Sequence, residues 1–188
     1  MKSQPRIVLG VSGSIAAYKA AELVRLMKAA DWDVHVILTQ GGAEFVTELT
    51  FRTLSRNSVG LDQFDKGRTD WHPEHISLAD SADVLVVAPC TANVLAKLAQ
   101  GLSDDLLTAT ALACKAPLIL APAMNGSMWT HAATQANVKL LKSRGAMLVD
   151  MQTGDLACGY QGLGRMADPE QIMKVLARVL AHKRGTKA

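Results

Sequence analysis

The chain has 188 residues, 49% of them hydrophobic but only 4% aromatic, and a formal net charge of +3. That length fits one domain, residues 1–188, burying roughly 70% of its unfolded surface in a core of Ala, Leu and Val. A mild charge without a basic stripe excludes nucleic acid; three cysteines (Cys90, Cys114, Cys158) without CxxC spacing exclude a disulfide framework and point to a reducing cytoplasm.

The chain runs from Met1 into a strand, Arg6–Val11, which reads as a start without a signal peptide. A turn, Ser12-Gly13-Ser14, then opens a helix over Ile15–Ala30 with Ile15, Ala16, Leu23, Leu26, Met27 and Ala30 as its apolar positions. Two readings of the turn stand. It is a tight turn with a serine cap, or a phosphate site of backbone N–H groups at a helix N-terminus, with the Ser12 and Ser14 hydroxyls adding hydrogen bonds. The spacing Gly10-x-x-Gly13-x-x-Ala16 matches a dinucleotide fingerprint only loosely.

The second strand, Asp33–Thr39, is informative at its tip. A dinucleotide site places an acidic residue there for a ribose hydroxyl, whereas this chain has Thr39-Gln40-Gly41-Gly42. A hydroxyl and glycines suit a phosphate, which points to a mononucleotide with a terminal phosphate such as FMN. A helix follows over Ala43–Ser55 with Phe45, Leu49 and Leu54 inward, then an edge strand at Val59–Leu61.

Residues 62–74 form a polar loop with Lys66, Arg68 and Asp70, ending in Trp71-His72-Pro73-Glu74-His75. His72-x-x-His75 lacks a third and fourth ligand, so no metal site is read there. His75 begins a new element, with Ile76 and Leu78 packing behind it. The central strand Asp83–Pro89 ends in Cys90-Thr91-Ala92-Asn93, and Thr91–Gln100 is a helix closed by Gly101. Ser103-Asp104-Asp105 caps a further helix, Leu106–Cys114; its acids are either helix-terminal charge or acceptors for a polar ring edge.

Residues 116–138 carry no Asp, Glu, Lys or Arg, yet Pro122, Asn125, Gly126, Gln135 and Asn137 interrupt them, which describes a ligand-lined interior and no membrane span. Within them, Pro117-Leu118-Ile119-Leu120-Ala121-Pro122 is a buried strand followed by Ala123-Met124-Asn125. Asn125 is a helix cap or a ligand group at the strand tip. Two neighbouring tips that both end in Ala-Pro, a small residue and Asn form one crevice. Thr130–Gly145 is a helix burying Leu140 and Leu141, and Met147–Val149 is the last strand. Asp150–Asp168 is a long loop whose four glycines around Cys158 suggest a flexible flap with a thiol at its tip. A final helix from Asp168-Pro169-Glu170 runs to about Ala181, before a charged end at His182–Ala188.

Taken together, Gly13-Ser14-Ile15-Ala16-Ala17-Tyr18-Lys19, His75-Ile76-Ser77-Leu78, Pro89-Cys90-Thr91-Ala92-Asn93, Pro122-Ala123-Met124-Asn125, and Ala157-Cys158-Gly159 with Gly164-Arg165-Met166 resemble the homo-oligomeric flavin-containing cysteine decarboxylases, over about residues 5–180. The resemblance implies a three-layer Rossmann-like α/β flavoprotein with a parallel sheet of about six strands and helices on both faces. It implies FMN held by Gly13, Ser14, Ile15 and Thr39 at the phosphate and ribityl chain, and by Thr91, Ala92, Asn93 and Ala123 around the ring. His75, Asn125 and Cys158 become the catalytic set, with Asn125, Asp155, Leu156 and Ala157 at the substrate. The implied partners are a phosphorylated cysteine conjugate, further copies of the chain in a trimer or a dodecamer of trimers, and a ligase partner or domain. In such assemblies His75 and Cys158 can serve one site from different chains.

The implied activity is an FMN-dependent carboxy-lyase of coenzyme A synthesis. A cysteine α-carbon offers no sink for a carbanion, so transient oxidation at the thiol-bearing carbon precedes loss of CO2. His75 assists deprotonation, Asn125 orients the carboxylate, and Cys158 protonates the enethiol. Alternatives on the same fold are a peptidyl-cysteine decarboxylase, a prenylated-flavin synthase and a non-catalytic flavin-binding regulatory subunit. One departure stands out: Tyr160 follows Cys158-Gly159 where the family usually has an acidic residue.

Overall fold

A computed structural model describes residues 4–64, 73–157, 159 and 161–185. Six strands, β1 (Arg6–Val11), β2 (Asp33–Leu38), β3 (Val59–Gly60), β4 (Val84–Cys90), β5 (Leu118–Pro122) and β6 (Met147–Leu148), form one parallel sheet in the order β3-β2-β1-β4-β5-β6. Helices cover both faces, as the run of unbroken aliphatic strands requires, because a strand apolar on both sides must be buried on both.

Alternation along β1 sorts the core into two halves. Ile7, Leu9 and Val11 face α1 (Ala17–Ala29), Phe51 of α3 (Glu48–Ser55) and Ile172, Leu176 and Leu180 of α9 (Pro169–Gly185). Val8 faces the other side, where α5 (Ala92–Gln100), α6 (Leu106–Ala113) and α8 (Ala132–Ser143) supply Leu95, Leu107 and Leu141. Gly10 has no side chain because Leu107 occupies the space a Cβ would take. The sheet therefore sits between two helical layers, and β1 hands over to β2 on one side and β4 on the other. Chain direction from strand to strand reverses there, which opens a crevice beyond the carboxyl ends of the strands.

Several features differ from the sequence reading. The expected helix Ala43–Ser55 is two pieces, α2 (Gln40–Ala43) and α3, because Thr47 adopts an extended backbone at the N-cap of α3. Phe45, before the break, and Leu49, on the outer side of α3, are 50% and 58% exposed, and Phe51 is the residue buried there. The helix expected over Thr130–Gly145 is α8, capped by His131, and a short helix not expected, α7 (Gly126–Thr130), precedes it with Asn125 as its cap; Leu141 is buried while Leu140 is only half-buried. Ile15 precedes α1 and is 57% exposed.

The long loop Asp150–Asp168 contains an antiparallel hairpin, β7 (Gln152–Asp155) paired with β8 (Gln161–Arg165). Neither strand has apolar alternation, so the usual strand signal is missing from its sequence. Its position comes from docking instead. The Met124 N–H donates to the Gly164 carbonyl at 3.2 Å, and a Cβ on Gly126 would lie 2.8 Å from the Leu163 carbonyl oxygen. Glycine at 126 and 164 lets two backbones touch. Beyond the hairpin, Lys19 of α1 is buried and spans to the chain after β8, donating to the Met166 carbonyl at 3.2 Å and to Asp168 at 2.9 Å. The remaining helix, α4 (Glu74–Ser81), packs against α6 near the β3 edge.

Candidate functional site

The turn after β1 and the turn after β2 are pressed together. A Cβ on Gly13 would lie 2.9 Å from both the carbonyl carbon and oxygen of Gly41, closer than side chains approach backbone. Ser14 closes its own turn: its Oγ accepts from the Ala16 N–H at 3.2 Å and its carbonyl from the Ala17 N–H at 2.9 Å. Among the described residues, the backbone N–H groups of Gly13 and Ile15 make no internal hydrogen bond. A pinched glycine turn with unspent N–H groups before a helix is an anion cradle.

Ser12 does something other than expected. It is buried, its Oγ donates to the Pro89 carbonyl at 2.7 Å and accepts from the Thr91 N–H at 3.1 Å. Its hydroxyl thus clasps the tips of β1 and β4 and is spent on the fold. Thr39 caps α2 by accepting from the Gly42 N–H at 3.1 Å, and Thr91 caps α5 by accepting from the Val94 N–H at 3.3 Å. Both caps fix the residues that follow them at the crevice.

That crevice has a volume of about 730 Å³. Gly13, Ser14, Ile15 and Thr39 line one part of it, and Thr91, Ala92, Asn93 and Ala123 another, so the eight residues expected to hold the cofactor meet in one space. Lys97 was not foreseen. It stands in the wall, paired with Asp104 at 2.7 Å and Asp105 at 3.0 Å. The Asp104 hydrogen bond raises the Lys97 pKa, and the same bond lowers that of Asp104. Asp105 also caps α6 by accepting from the Thr108 N–H at 2.8 Å, which supports the helix-terminal reading of these acids. No sequence pattern ties Lys97 to them, because the pairing crosses the Gly101 turn.

A second cavity of about 530 Å³ adjoins the first, sharing Ser14, Ile15, Ala123 and Met124 with it. Asn125, Asp155, Leu156 and Ala157, the four expected substrate residues, line this space together. Hairpin docking is what brings residues 155–157 to Asn125. The Asn125 side-chain oxygen accepts from the Ser127 N–H at 2.8 Å, so the cap and the ligand reading coexist: the cap fixes the amide at the cavity wall. Tyr18, Lys19 and Arg165 also line it and were absent from the expected set.

His75 stands apart from both cavities. It sits half-buried in the first turn of α4 and lines neither cavity of its own chain. The β3 edge holds α4 there, with Glu74 beside Gly60. Cys158, Tyr160, His72, Lys66, Arg68, Asp70 and Trp71 lie outside the described residues. Cys90, although in the Pro-Cys-Thr run, is wholly buried, which pushes its thiol up to about 12 and makes it inert. Among the described residues, no cluster of three or more His, Cys, Asp or Glu could hold a metal, and no helix is long and apolar enough to cross a membrane.

Against known proteins, the model of the family described as Flavoprotein matches residues 1–181. The chain is 43% identical over 183 residues to the coenzyme A biosynthesis bifunctional protein CoaBC of Bacillus subtilis, covering 97% of this chain and 45% of that protein. With its counterpart from Haemophilus influenzae it shares 42% identity over 177 residues, covering 94% of this chain and 44% of that one. The chain therefore spans less than half the length of these relatives. Among solved structures it is similar to a PPC decarboxylase variant complexed with pantothenoylaminoethenethiol, at 34% identity and a TM-score of 0.84, covering 93% of this chain and 97% of that one. It is also similar to the FMN-binding protein AtHal3, at 34% identity and a TM-score of 0.80, covering 93% and 96%.

Proposed function

This chain belongs to the flavoprotein family, and on that premise we propose that it is an FMN-dependent carboxy-lyase that converts phosphopantothenoylcysteine to phosphopantetheine in coenzyme A biosynthesis. One observation carries the reading: the cavity beside the pinched glycine turn opens at Ser14, Ile15, Ala123 and Met124 into a second cavity walled by Asn125 and the hairpin. A cofactor ring in the first space would lie against a substrate in the second. Similarity to the coenzyme A biosynthesis proteins and to the PPC decarboxylase supports the choice of substrate.

The donor set fits FMN. The Gly13–Gly41 pinch and the unspent N–H groups of Gly13 and Ile15 suit a phosphate, while Thr91, Ala92, Asn93 and Ala123 leave a polar, small-residue wall for a flat ring. When bound, FMN supplies the reversible oxidation at the thiol-bearing carbon that makes loss of the carboxylate possible. Asn125, fixed by its own cap, orients that carboxylate. Cys158 donates the proton that, with the hydride given back as the oxidation reverses, would return the enethiol to the saturated thiol. His75 assists deprotonation, and since it lines neither cavity of its own chain it serves the site of a neighbouring copy. Exposed Ile15, Phe45 and Met128 around the crevice give that copy an apolar seat. We place the assembly as a trimer or a dodecamer of trimers, with residues 1–188 as the decarboxylase domain and a ligase domain or protein as its functional partner.

Purified protein should be yellow, show a flavin absorbance spectrum, and release CO2 from phosphopantothenoylcysteine. Colourless protein that takes up no added FMN would sink the proposal. Activity only on a peptide ending in cysteine would move the assignment to the peptidyl-cysteine decarboxylases.

A further inference from the structure

The second cavity contains a cation that the reaction as described leaves without a task. Two basic residues line it, Lys19 and Arg165. Lys19 is spent, tied to Asp168 at 2.9 Å and to the Met166 carbonyl at 3.2 Å. Among the described residues, the Arg165 guanidinium makes no hydrogen bond and no close ion pair, although its backbone pairs with Gln152 of β7. Asp155 lines the same cavity without pairing to it; Asp168 is held and lowered in pKa by hydrogen bonds from Lys19 and Gln152, with the more distant charge of Arg165 adding a smaller part.

Arg165 is nevertheless placed. It projects from β8 over Gly154 of β7, where a Cβ would lie 2.6 Å from Arg165 Nη1 and 2.9 Å from its Cδ. Glycine at 154 is what allows the guanidinium to lie against the hairpin backbone. A fork of N–H donors held in this way, exposed and with no carboxylate hydrogen-bonded to it, suits a bidentate anion.

On the function proposed above, the substrate carries two anions, and they make different demands. The carboxylate leaves as neutral CO2, so a full positive charge against it would favour the ground state over the transition state. A neutral amide such as Asn125 avoids that penalty. The phosphate keeps its charge throughout, and binding it strengthens ground and transition states alike. We propose that Arg165, laid across Gly154, receives the phosphate of the substrate and sets the preference for the phosphorylated conjugate over its dephosphorylated counterpart.

The test measures kcat and KM on both conjugates for the FMN-loaded wild type, Arg165→Met, Arg165→Lys and Gly154→Ala, with the flavin spectrum confirming each variant is folded. Loss of one bidentate charge-assisted contact corresponds to ~10–100-fold in affinity. Arg165→Met should raise KM for the phosphorylated conjugate by about that factor with kcat little changed, and leave both constants alone for the dephosphorylated one. Arg165→Lys should recover part of the loss, and Gly154→Ala should shift KM in the same direction by displacing the guanidinium. Unchanged constants in Arg165→Met, or equal losses on both conjugates, overturn the assignment of Arg165 while the function stands. A wild type that binds FMN yet decarboxylates neither conjugate overturns the function and this inference with it.

Discussion

Substituting Gly13 by Ala tests the cradle directly. The new Cβ would sit 2.9 Å from the Gly41 carbonyl carbon and oxygen and 3.0 Å from its Cα. Ordinary carbon contacts lie at about 3.5–4.0 Å, so the two turns must part by roughly 0.6 Å. No side chain can rotate to relieve the contact, because every near atom is backbone. The turn is at the surface, so the loss of folding stability should be about 1 kcal/mol, a fall in Tm of about 2–4 °C for a chain of this size. Ligand binding should suffer more. Parting the turns misaligns the N–H groups of Gly13 and Ile15, and one charge-assisted hydrogen bond is worth ~1.5–3 kcal/mol, or about 10–150-fold in Kd. The reciprocal change, Gly41→Ala, places its Cβ 3.4 Å from Gly13 Cα, an ordinary contact. Fluorescence titration of the apo-protein with FMN, beside thermal melts, should therefore show Gly13→Ala binding at least tenfold more weakly than Gly41→Ala. Equal affinities for the two variants would refute the pinched-turn argument.

Four further outcomes are expected. Lys19→Met removes the cation that bridges α1 to the chain after the hairpin; with Lys19 buried but Asp168 46% exposed, the loss should be about 2 kcal/mol in urea unfolding, and a change under ~0.5 kcal/mol would show the bridge to be inert. Burial alone would raise the Asp33 carboxyl, but hydrogen bonds from Asn57, Arg6 and His35 outweigh it and hold it at about 2. Because the folded value is depressed, its contribution of ~2 kcal/mol is complete above about pH 4 and fades as pH falls toward 2, so the stability gap between wild type and Asp33→Asn should close over that window. Mixed assemblies of His75→Ala and Asn125→Ala, each inactive alone, should regain about a quarter of wild-type activity if each site draws on two chains, and none if it draws on one. Cys158→Ser should still release CO2 but accumulate the enethiol, seen by mass spectrometry; a completed cycle would remove Cys158 from the proton-donor role.

Sequence alone settled the class of fold, and it named eight residues that line the first cavity and four that line the second, though not Lys97, Tyr18, Lys19 or Arg165. Aliphatic strands ending in Pro122 and in the Pro89-Cys90-Thr91 run, glycine and serine at the first turn, and Thr39 in place of an acid are local signals, and local chemistry writes them legibly. It was less legible wherever a residue's duty depends on what lies opposite. Ser12 looked like a phosphate ligand and is a clasp between strands, because only the pairing of β1 with β4 puts the Pro89 carbonyl 2.7 Å away. The hairpin looked like a loop because its register comes from docking on Met124 and Gly126, with no apolar alternation of its own. Phe45 and Leu49 fit a helical stripe, yet both are exposed: Thr47 breaks the helix after Phe45, which lines the crevice, and α3 buries Phe51 instead. Lys97 meeting Asp104, Lys19 meeting Asp168 and Arg165 lying over Gly154 join residues that only the folded chain makes neighbours. Spacing along a chain fixes periodic faces and turns; which charges are spent and which remain for a ligand is decided by contacts between elements distant in sequence.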